Sequence, residues 1–535
     1  MEAFIIACFV FQYVLTFNQN LGFFQCTNNL RTARNVRHTM KASSSFGPEF
    51  QKVWPQTSAG LPALTDFAKQ LLEACKAVKK PNTDAKSVDL SKLMELSKNF
   101  PCKFPIDTCR VMSQPKDRWN NIRHQVASAY PIIHERTLFL YLRFLEHKQK
   151  FGTAQELLVF KNMSLVDFVQ RLLSKRCVSF MSSNDAFELL DGSRGSDGFE
   201  NIGTPTEKPP LVIQNVLSYD EIKLSALLYV SSHSEFINNG SRNNVGAVVL
   251  DKSTIEREGV IMGLIGGRFE RPNVMEWQDI MITPEQNVRA TGYGASNRRT
   301  RADDYRSIWR EFYEEPQDFC FDQVVVDNRR FSHTQKDFIF DNVVMKKRYA
   351  ITFDTLLLEC EARAVAAGKP AYVHIVGYGL GVWKETEQQT NIFLETFEER
   401  LRVLAKRLSH IGSVHFSWFH LSKWGGLEDQ TLIPTTTHPN GGILVRFSNR
   451  NPADKLPENM LPIVTYAWDA NALPGNEFWI GSLSGSGDPA AACSTLITEL
   501  HNPHINLNYT SGANLHIASL EHGVMHIAEY AKLVA

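Results

Sequence analysis

The chain has 535 residues, of which 43% are apolar and 21% are charged, a composition typical of a globular protein with roughly two to four domains. The chain has 57 lysine and arginine residues and 57 aspartate and glutamate residues, so its formal net charge is zero. No overall charge therefore favours nucleic acid or an anionic membrane as a partner. Nine cysteines without a C-x-x-C pair argue against a disulfide framework or a zinc site and favour a cytoplasmic location.

The first 48 residues differ from the rest. An apolar run, "AFIIACFVFQYVLTF", covers residues 3–17, and no acid occurs from Ala3 to Pro48. Fifteen residues are few for a membrane span. Three interpretations stay open: a mitochondrial transit peptide, a secretory signal peptide, or a non-native extension upstream of a start at Met40. The mature domain is predicted to have no membrane contact.

Two segments follow that differ in composition. Residues 49–181 predict an all-α N-terminal module, because "LPALTDFAKQLLEACKAV" and "HERTLFLYLRFLEHKQKF" carry apolar residues at three- and four-residue spacing. Residues 182–215 are rich in Ser, Gly, Asp and Pro, which predicts a linker.

Residues 216–535 predict an α/β domain with a central mixed sheet. Short apolar runs such as "GAVVL" (246–250), "AYVHIVGYG" (371–379) and "LPIVTYAW" (461–468) suit strands covered on both faces. Helical patterns lie among them, notably at 354–368 and 389–412.

A glycine-rich turn follows one predicted strand. In "YVHIVGYGLGVWKETEQQTNIF" the strand leads through Gly377, Gly379 and Gly381 into a predicted helix. Glycines bring backbone amides close to a ligand and a helix N-terminus adds positive potential, so the amides from Gly379 to Val382 are predicted to hold a diphosphate. A tight connection without a ligand is the alternative.

Arg268 and Glu270 follow another apolar run, in "GLIGGRFERPNVMEW". Sites in α/β folds collect at the carboxyl ends of strands, so both side chains are candidates for ligand contact. An internal ion pair between them is the alternative.

Three acids follow the apolar run "LPIVTYAW". Asp469, Glu477 and Asp488 lie within twenty residues on a glycine- and proline-containing segment, where they would repel one another unless cations or shared protons compensated them. Such clusters suit glycosidic chemistry, in which one carboxyl donates a proton and another stabilises developing positive charge or activates water. For Asp488 the alternative is a helix N-cap.

The segments "GVIMGLIGGRFERPNVMEW", "HIVGYGLGVWK" and "DANALPGNEFWIGSLSGSGDPAAACST" resemble the MavL-like family of macrodomains, over roughly residues 216–510. This family is named for a bacterial effector that removes ADP-ribose from arginine in ubiquitin. The resemblance implies a macrodomain-type α/β/α sandwich that binds ADP-ribose and hydrolyses the bond between ribose C1 and an arginine guanidinium.

The resemblance implies that the family's catalytic aspartates correspond to Asp469, to the Asn476–Glu477 position and to Asp488, so the middle acid here is a glutamate. The predicted ligand-binding residues are Gly377, Gly379, Leu380, Gly381, Val382, Trp383, Asn471, Asn476, Arg268 and Glu270. The predicted partners are ADP-ribose and an ADP-ribosylated protein, with ubiquitin as a candidate, and neither metal nor cofactor is expected. A reader that binds ADP-ribose without cleaving it, and an interaction scaffold, are the competing hypotheses.

Overall fold

A ten-stranded mixed sheet lies at the centre of the computed structural model, which describes residues 46–56, 60–294, 300–334, 336–435 and 437–535. The prediction of a targeting segment or extension at 1–48 falls almost wholly outside the described residues. The described residues form one compact unit. The mixed α/β class is confirmed, whereas the specific macrodomain sandwich stays a prediction.

The strands are numbered in chain order. They are β1 (Tyr130–His134), β2 (Ser179–Met181), β3 (Ala186–Glu188), β4 (Arg194–Gly195), β5 (Tyr229–Glu235), β6 (Glu258–Ile265), β7 (Met281–Ile282), β8 (Phe331–His333), β9 (Ile339–Asp341), β10 (Ala371–Ile375), β11 (Ile411–Ser417), β12 (Lys423–Trp424), β13 (Leu427–Glu428), β14 (Thr431–Pro434), β15 (Gly442–Ser448), β16 (Leu461–Trp468), β17 (His516–Ser519) and β18 (Gly523–His526). The central sheet has the order β14-β15-β11-β10-β16-β6-β5-β1-β17-β18.

Seventeen α-helices are present among the described residues. Their bounds are Pro48–Gln51, Asp66–Cys75, Leu90–Lys98, Trp119–Ala127, Glu135–Phe151, Ala154–Phe160, Leu165–Ser174, Tyr219–Ser225, Trp277–Ile280, Arg301–Tyr313, Phe321–Val324, Asn342–Ala367, Gln388–Leu404, Asn476–Trp479, Gly487–Ala492, Ile497–Leu500 and Ile527–Val534. None of the helices in these ranges combines the length and apolar character that a bilayer crossing requires.

The middle of the sheet explains the apolar runs in the sequence. Strands β15, β11, β10, β16 and β6 run parallel to one another, and β10 and most of β16 are buried along their length. Side chains covered on both faces must be apolar at successive positions, which removes the alternation seen in half-exposed strands. The carboxyl ends of β6, β16 and β10 therefore lie side by side, and so do the loops that follow them.

The long helix Asn342–Ala367 packs against these strands and against the helix Gln388–Leu404. It begins where the Asp341 carboxylate accepts hydrogen bonds from the backbone N–H groups of Val343 and Val344, and it ends before Gly368, whose φ is +60°. An acidic N-cap and a left-handed glycine are the expected helix boundaries.

The N-terminal segment is not all-α. Strand β1 pairs with β5 and β17 inside the central sheet, although it lies within the predicted helical module. The sequence analysis missed β1 because its five residues directly precede the helix Glu135–Phe151. A strand this short has no recognisable pattern of its own beside a strong helical pattern. The division of the chain into domains at 49–181 and 216–535 stays a prediction.

Two further expectations are corrected by the structure. The run "GAVVL" at 246–250 is a loop rather than a strand, with Leu250 94% exposed. The predicted linker 182–215 contains strands β3 and β4, and Phe187 and Phe199 within it are buried. The seven described cysteines are free thiols.

Candidate active site

The three acids of the 469–488 segment come together at the carboxyl end of β16. Asp469 is the first residue after the strand, Glu477 lies in the first turn of the helix Asn476–Trp479, and Asp488 lies in the first turn of the helix Gly487–Ala492. One carboxylate oxygen from each residue lies within 4.8 Å of the other two. Three negative charges at this distance need a cation or protons to compensate them.

Asp488 caps a helix, but not its own. Its two oxygens accept hydrogen bonds, both of 2.9 Å, from the backbone N–H groups of Gly475 and Asn476, which begin the preceding helix. Its own helix has Ser486 at the N-cap. Burial and the charge of Glu477 raise the pKa of the Asp488 carboxyl well above its ordinary value, against the effect of the two N–H donors.

Asp469 is held in a buried position. Its side chain is almost completely buried, and the Asn476 side-chain amide donates a 2.5 Å hydrogen bond to its Oδ2. Burial, together with the Glu477 carboxylate, raises the pKa of Asp469 to about 7, while Arg268 and Asn476 act in the opposite direction. Near neutral pH this carboxyl can therefore exchange a proton, as a general acid or base must.

Glu477 is the least buried of the three acids. The Ser486 hydroxyl donates a 2.8 Å hydrogen bond to its Oε1. Its Oε2 has no hydrogen-bond partner among the described residues. One oxygen of this carboxylate is thus fixed by a hydrogen bond, and the other is a buried acceptor without a partner among the described residues.

Asn476 makes only internal contacts through its side chain. Besides Asp469, its amide nitrogen donates to the Phe180 carbonyl at 3.0 Å, and its oxygen accepts from the Phe180 backbone N–H at 2.8 Å. This pattern ties β2 to the segment 469–488 and leaves the predicted ligand contact of Asn476 a prediction.

The glycine loop after β10 lies against the loop after β6. Gly379 has a φ of +74°, and a Cβ added at Gly266 would lie 2.5 Å from its N and Cα atoms. Both glycines are needed for this close approach. Gly377 and Leu380 are half-buried, while Gly381 and Val382 are exposed, so the predicted diphosphate loop is open at its second half.

The helix that follows the glycine loop begins later than the sequence suggested. It starts at Gln388, and the intervening N–H groups of Glu385 and Thr386 donate to the Gln389 side-chain oxygen. The helix N-terminus is therefore separated from Gly377–Val382 by a capped turn, and its dipole acts less directly on that loop than expected.

Arg268 and Glu270 form the internal ion pair that was one of the two alternatives. Arg268 Nε lies 2.9 Å from Glu270 Oε2, and Trp383 Nε1 donates to the same oxygen at 3.3 Å. Arg268 also pairs with Asp185 at 3.1 Å and donates to the Ser182 carbonyl at 2.7 Å. The two predicted loops are thus linked by side chains; contact with a ligand stays a prediction for Arg268, Glu270 and Trp383.

Asn471 is buried more deeply than is expected of a residue that binds a ligand from an open loop. It is 1% exposed, and its backbone carbonyl accepts a 2.9 Å hydrogen bond from the Cys177 N–H. Its side-chain amide contacts the Cys177 sulfur at 3.6 Å. The predicted ligand contact of Asn471 has no direct support from this position.

Two residues of the site, Arg176 and Phe180, were missed by the sequence analysis because they precede the predicted α/β domain, which begins at residue 216. Arg176 is buried, stacks over the Trp468 ring at 4.0 Å and donates to the Asp469 backbone carbonyl at 3.3 Å. Burial lowers its pKa to about 9. Phe180 lies under the Arg268 guanidinium at 4.5 Å. Both lie at the end of the predicted helical module, where no motif in the sequence marks them.

The three carboxylates would also suit a divalent cation, since oxygen ligands are what such ions prefer. The absence of a metal stays a prediction. A guanidinium group would compensate the same charges without one.

Comparison with known proteins identifies the family. A family model described as "ADP-ribosylhydrolase MavL-like" matches residues 91–533, which begins well before the resemblance seen in the motifs. ADP-ribosylarginine hydrolase CG3568 of Drosophila melanogaster is 59% identical over 486 residues, covering 90% of this chain and 95% of the relative. ADP-ribosylarginine hydrolase CG2909 of the same organism is 53% identical over 499 residues, covering 92% and 98%. The chain therefore belongs to the MavL-like family of ADP-ribosylhydrolases.

Proposed function

We propose that this hydrolase cleaves the N-glycosidic bond between ribose C1 and the arginine guanidinium of a mono-ADP-ribosylated protein. The observation that carries the proposal is the cluster of Asp469, Glu477 and Asp488 at the carboxyl edge of the sheet, with oxygens within 4.8 Å of one another. The names of the two Drosophila relatives support the arginine linkage. They give no support to a reader that binds ADP-ribose without cleaving it.

The substrate supplies the cation that the acids need. A guanidinium bound between the carboxylates offsets their mutual repulsion and donates hydrogen bonds to their oxygens in a planar geometry. As the bond between C1 and nitrogen breaks, positive charge moves from the guanidinium towards the ribose, and the carboxylates stabilise it there.

The proton balance of the reaction is simple. A water oxygen bonds to C1 as the bond to nitrogen breaks, and the electron pair of that bond stays on the guanidine. The water passes one proton to a carboxylate, which delivers it to the neutral guanidine, so that the products are a ribose hydroxyl and a protonated arginine.

The environments of the acids suggest different roles. Glu477, whose Oε2 has no hydrogen-bond partner among the described residues, contacts the attacking water or the guanidinium. Asp469, whose pKa is about 7, exchanges the proton. Asp488, with both oxygens bound to backbone N–H groups, fixes the segment that carries Glu477.

We place the diphosphate of ADP-ribose on the amides from Gly379 to Val382. The exposure of Gly381 and Val382 supports this placement, as does the adjacency of β10 and β16 in the sheet. Ubiquitin is our candidate for the modified protein, on the strength of the family resemblance alone, and we propose a cytoplasmic location.

The experiment is an ADP-ribose release assay on three substrates: arginine-modified ubiquitin, a second arginine-modified protein, and a serine-modified protein as the linkage control. We expect release from the arginine-linked substrates only. If calorimetry shows that the protein binds ADP-ribose but no arginine-linked substrate releases it, the reader hypothesis replaces the hydrolase hypothesis.

A further inference from the structure

A small cavity lies beside the acid cluster, between Asp469, β2 and the loop after β6. It has room for one water-sized molecule and no larger ligand. The polar and aromatic residues that line it are Phe180, Lys223, Arg268, Glu276, Asp469 and Asn471.

Two of these side chains bring polar atoms that the protein does not satisfy. Nη1 of Arg268 and Oδ1 of Asn471 have no hydrogen-bond partner among the described residues. Arg268 is 4% exposed and Asn471 is 1% exposed, so open solvent does not serve either atom. Buried donors and acceptors are rarely left unpaired, and an ordered water is the usual partner.

The other charged groups of the cavity are already paired. Glu276 lies 2.6 Å from Arg348, and Lys223 lies 2.6 Å from Asp279. The remaining polar groups are one donor, Arg268 Nη1, and two acceptors, Asn471 Oδ1 and the Asp469 carboxylate. A water molecule has the complementary set, since it accepts one such hydrogen bond and donates two.

We propose that this cavity binds one water molecule between Arg268 Nη1, Asn471 Oδ1 and the Asp469 carboxylate. Arg268 and Asn471 are then positioning residues that act on Asp469 through the water, in place of the direct ADP-ribose contact that the sequence predicted. The consequence for catalysis rests on the proposed function, whereas the water site itself does not.

The water influences the ionisation of Asp469. A hydrogen bond donated to a carboxylate favours its charged form, so the water acts with Arg268 and Asn476 against burial and against the charges of Glu477 and Glu270. Loss of the water makes Asp469 harder to ionise, and an activity that needs the carboxylate then requires a higher pH.

The direct test is a crystal structure of the full chain at a resolution that shows ordered waters, both free and with ADP-ribose. We expect one density peak within hydrogen-bond distance of all three atoms in both structures. Absence of the peak, a direct bond from Arg268 Nη1 to a protein acceptor, or replacement of the peak by a ribose hydroxyl overturns the proposal.

The functional test is Asn471→Leu, which keeps the approximate volume and removes the acceptor. The matched control is Asn514→Leu, since Asn514 is also 1% exposed and its Oδ1 also lacks a partner among the described residues. We expect the lower limb of the pH–kcat profile to move up by about one unit in Asn471→Leu and to stay in place in Asn514→Leu.

An unchanged profile in Asn471→Leu rejects the positioning role. If that variant does not fold, the density in the wild-type crystals decides the proposal. If the wild type releases no ADP-ribose from arginine-linked protein, the proposed function fails, and the crystals still decide whether the water site exists.

Discussion

The acid cluster and the glycine loop are both at the carboxyl edge of the sheet, but they are built in opposite ways. Asp469 and Asp488 are buried and bound by side-chain and backbone donors. Gly381 and Val382 are exposed, and a Cβ at Gly381 would meet no atom within 4 Å. Groups that meet developing charge need rigid placement, whereas a phosphate-binding loop needs free amides.

This difference has a practical consequence for mutagenesis. A change in the acid cluster alters stability and turnover together, because the same hydrogen bonds serve both. A change at the exposed end of the glycine loop alters ligand affinity alone. The two regions can therefore be separated by measuring melting temperature, affinity and turnover on the same variants.

The largest effect is expected for Asp469→Asn. Loss of the exchangeable proton and of the negative charge should lower kcat for ADP-ribose release by at least ~100-fold, the scale of a lost acid–base or electrostatic group. The nearly isosteric side chain should keep the fold, as measured by circular dichroism. Release at the wild-type rate would show that the cluster does not perform the chemistry.

Gly381→Val should weaken ADP-ribose binding by at least ~10-fold, because a branched side chain covers the amides that are proposed to hold the diphosphate. The matched control is Gly426→Val, at an exposed glycine whose added Cβ has only ordinary contacts. Both variants should melt like the wild type. If calorimetry finds wild-type affinity for Gly381→Val, the diphosphate binds elsewhere. This substitution is a cleaner test than one at Gly379, where a side chain would also meet Gly266.

Asp488→Asn should lower the free energy of unfolding by about 1–2 kcal/mol as well as impair turnover. An N-cap role in its own helix would have predicted an unchanged stability, since asparagine caps helices well. In the structure both oxygens accept from backbone N–H groups, and asparagine offers only one acceptor. Denaturant unfolding decides between the two; a stability equal to that of the wild type would contradict the observed capping.

The sequence predicted the parts of the site that lie on one strand–loop segment. Strand β16 was visible as an apolar run, and the three acids after it were visible as charges on a loop. That β10 would lie beside β16 could not be read from the sequence, because pairing of parallel strands distant in the chain leaves no local pattern.

What the sequence did not predict comes from long-range contacts. Arg176 and Phe180 reach Asp469 and Asn476 across almost 300 residues of chain, and strand β1 enters the sheet from the predicted helical module. Buried polar contacts of this kind depend on the final packing, so composition and spacing carry no signal for them. The helix boundary at Gln388 was shifted for a local reason, the capped turn at Glu385 and Thr386.

The smallest effect concerns stability and pH. The pKa of Asp469 is about 7 in the folded protein, above the ordinary value of 3.8, so between these values the folded state binds the proton more tightly than the unfolded state. Stability from this group is therefore present at low pH and is lost as the pH rises from about 4 to 7. Asp469→Asn has no such proton, so it should melt a few degrees above the wild type at pH 8 and close to it at pH 4.

The measurement is the difference in melting temperature across this range, without ligand and in a metal chelator, since a bound cation would stabilise the ionised acids. A difference that stays constant with pH would mean that Asp469 is ionised throughout and that its charge is balanced within the protein.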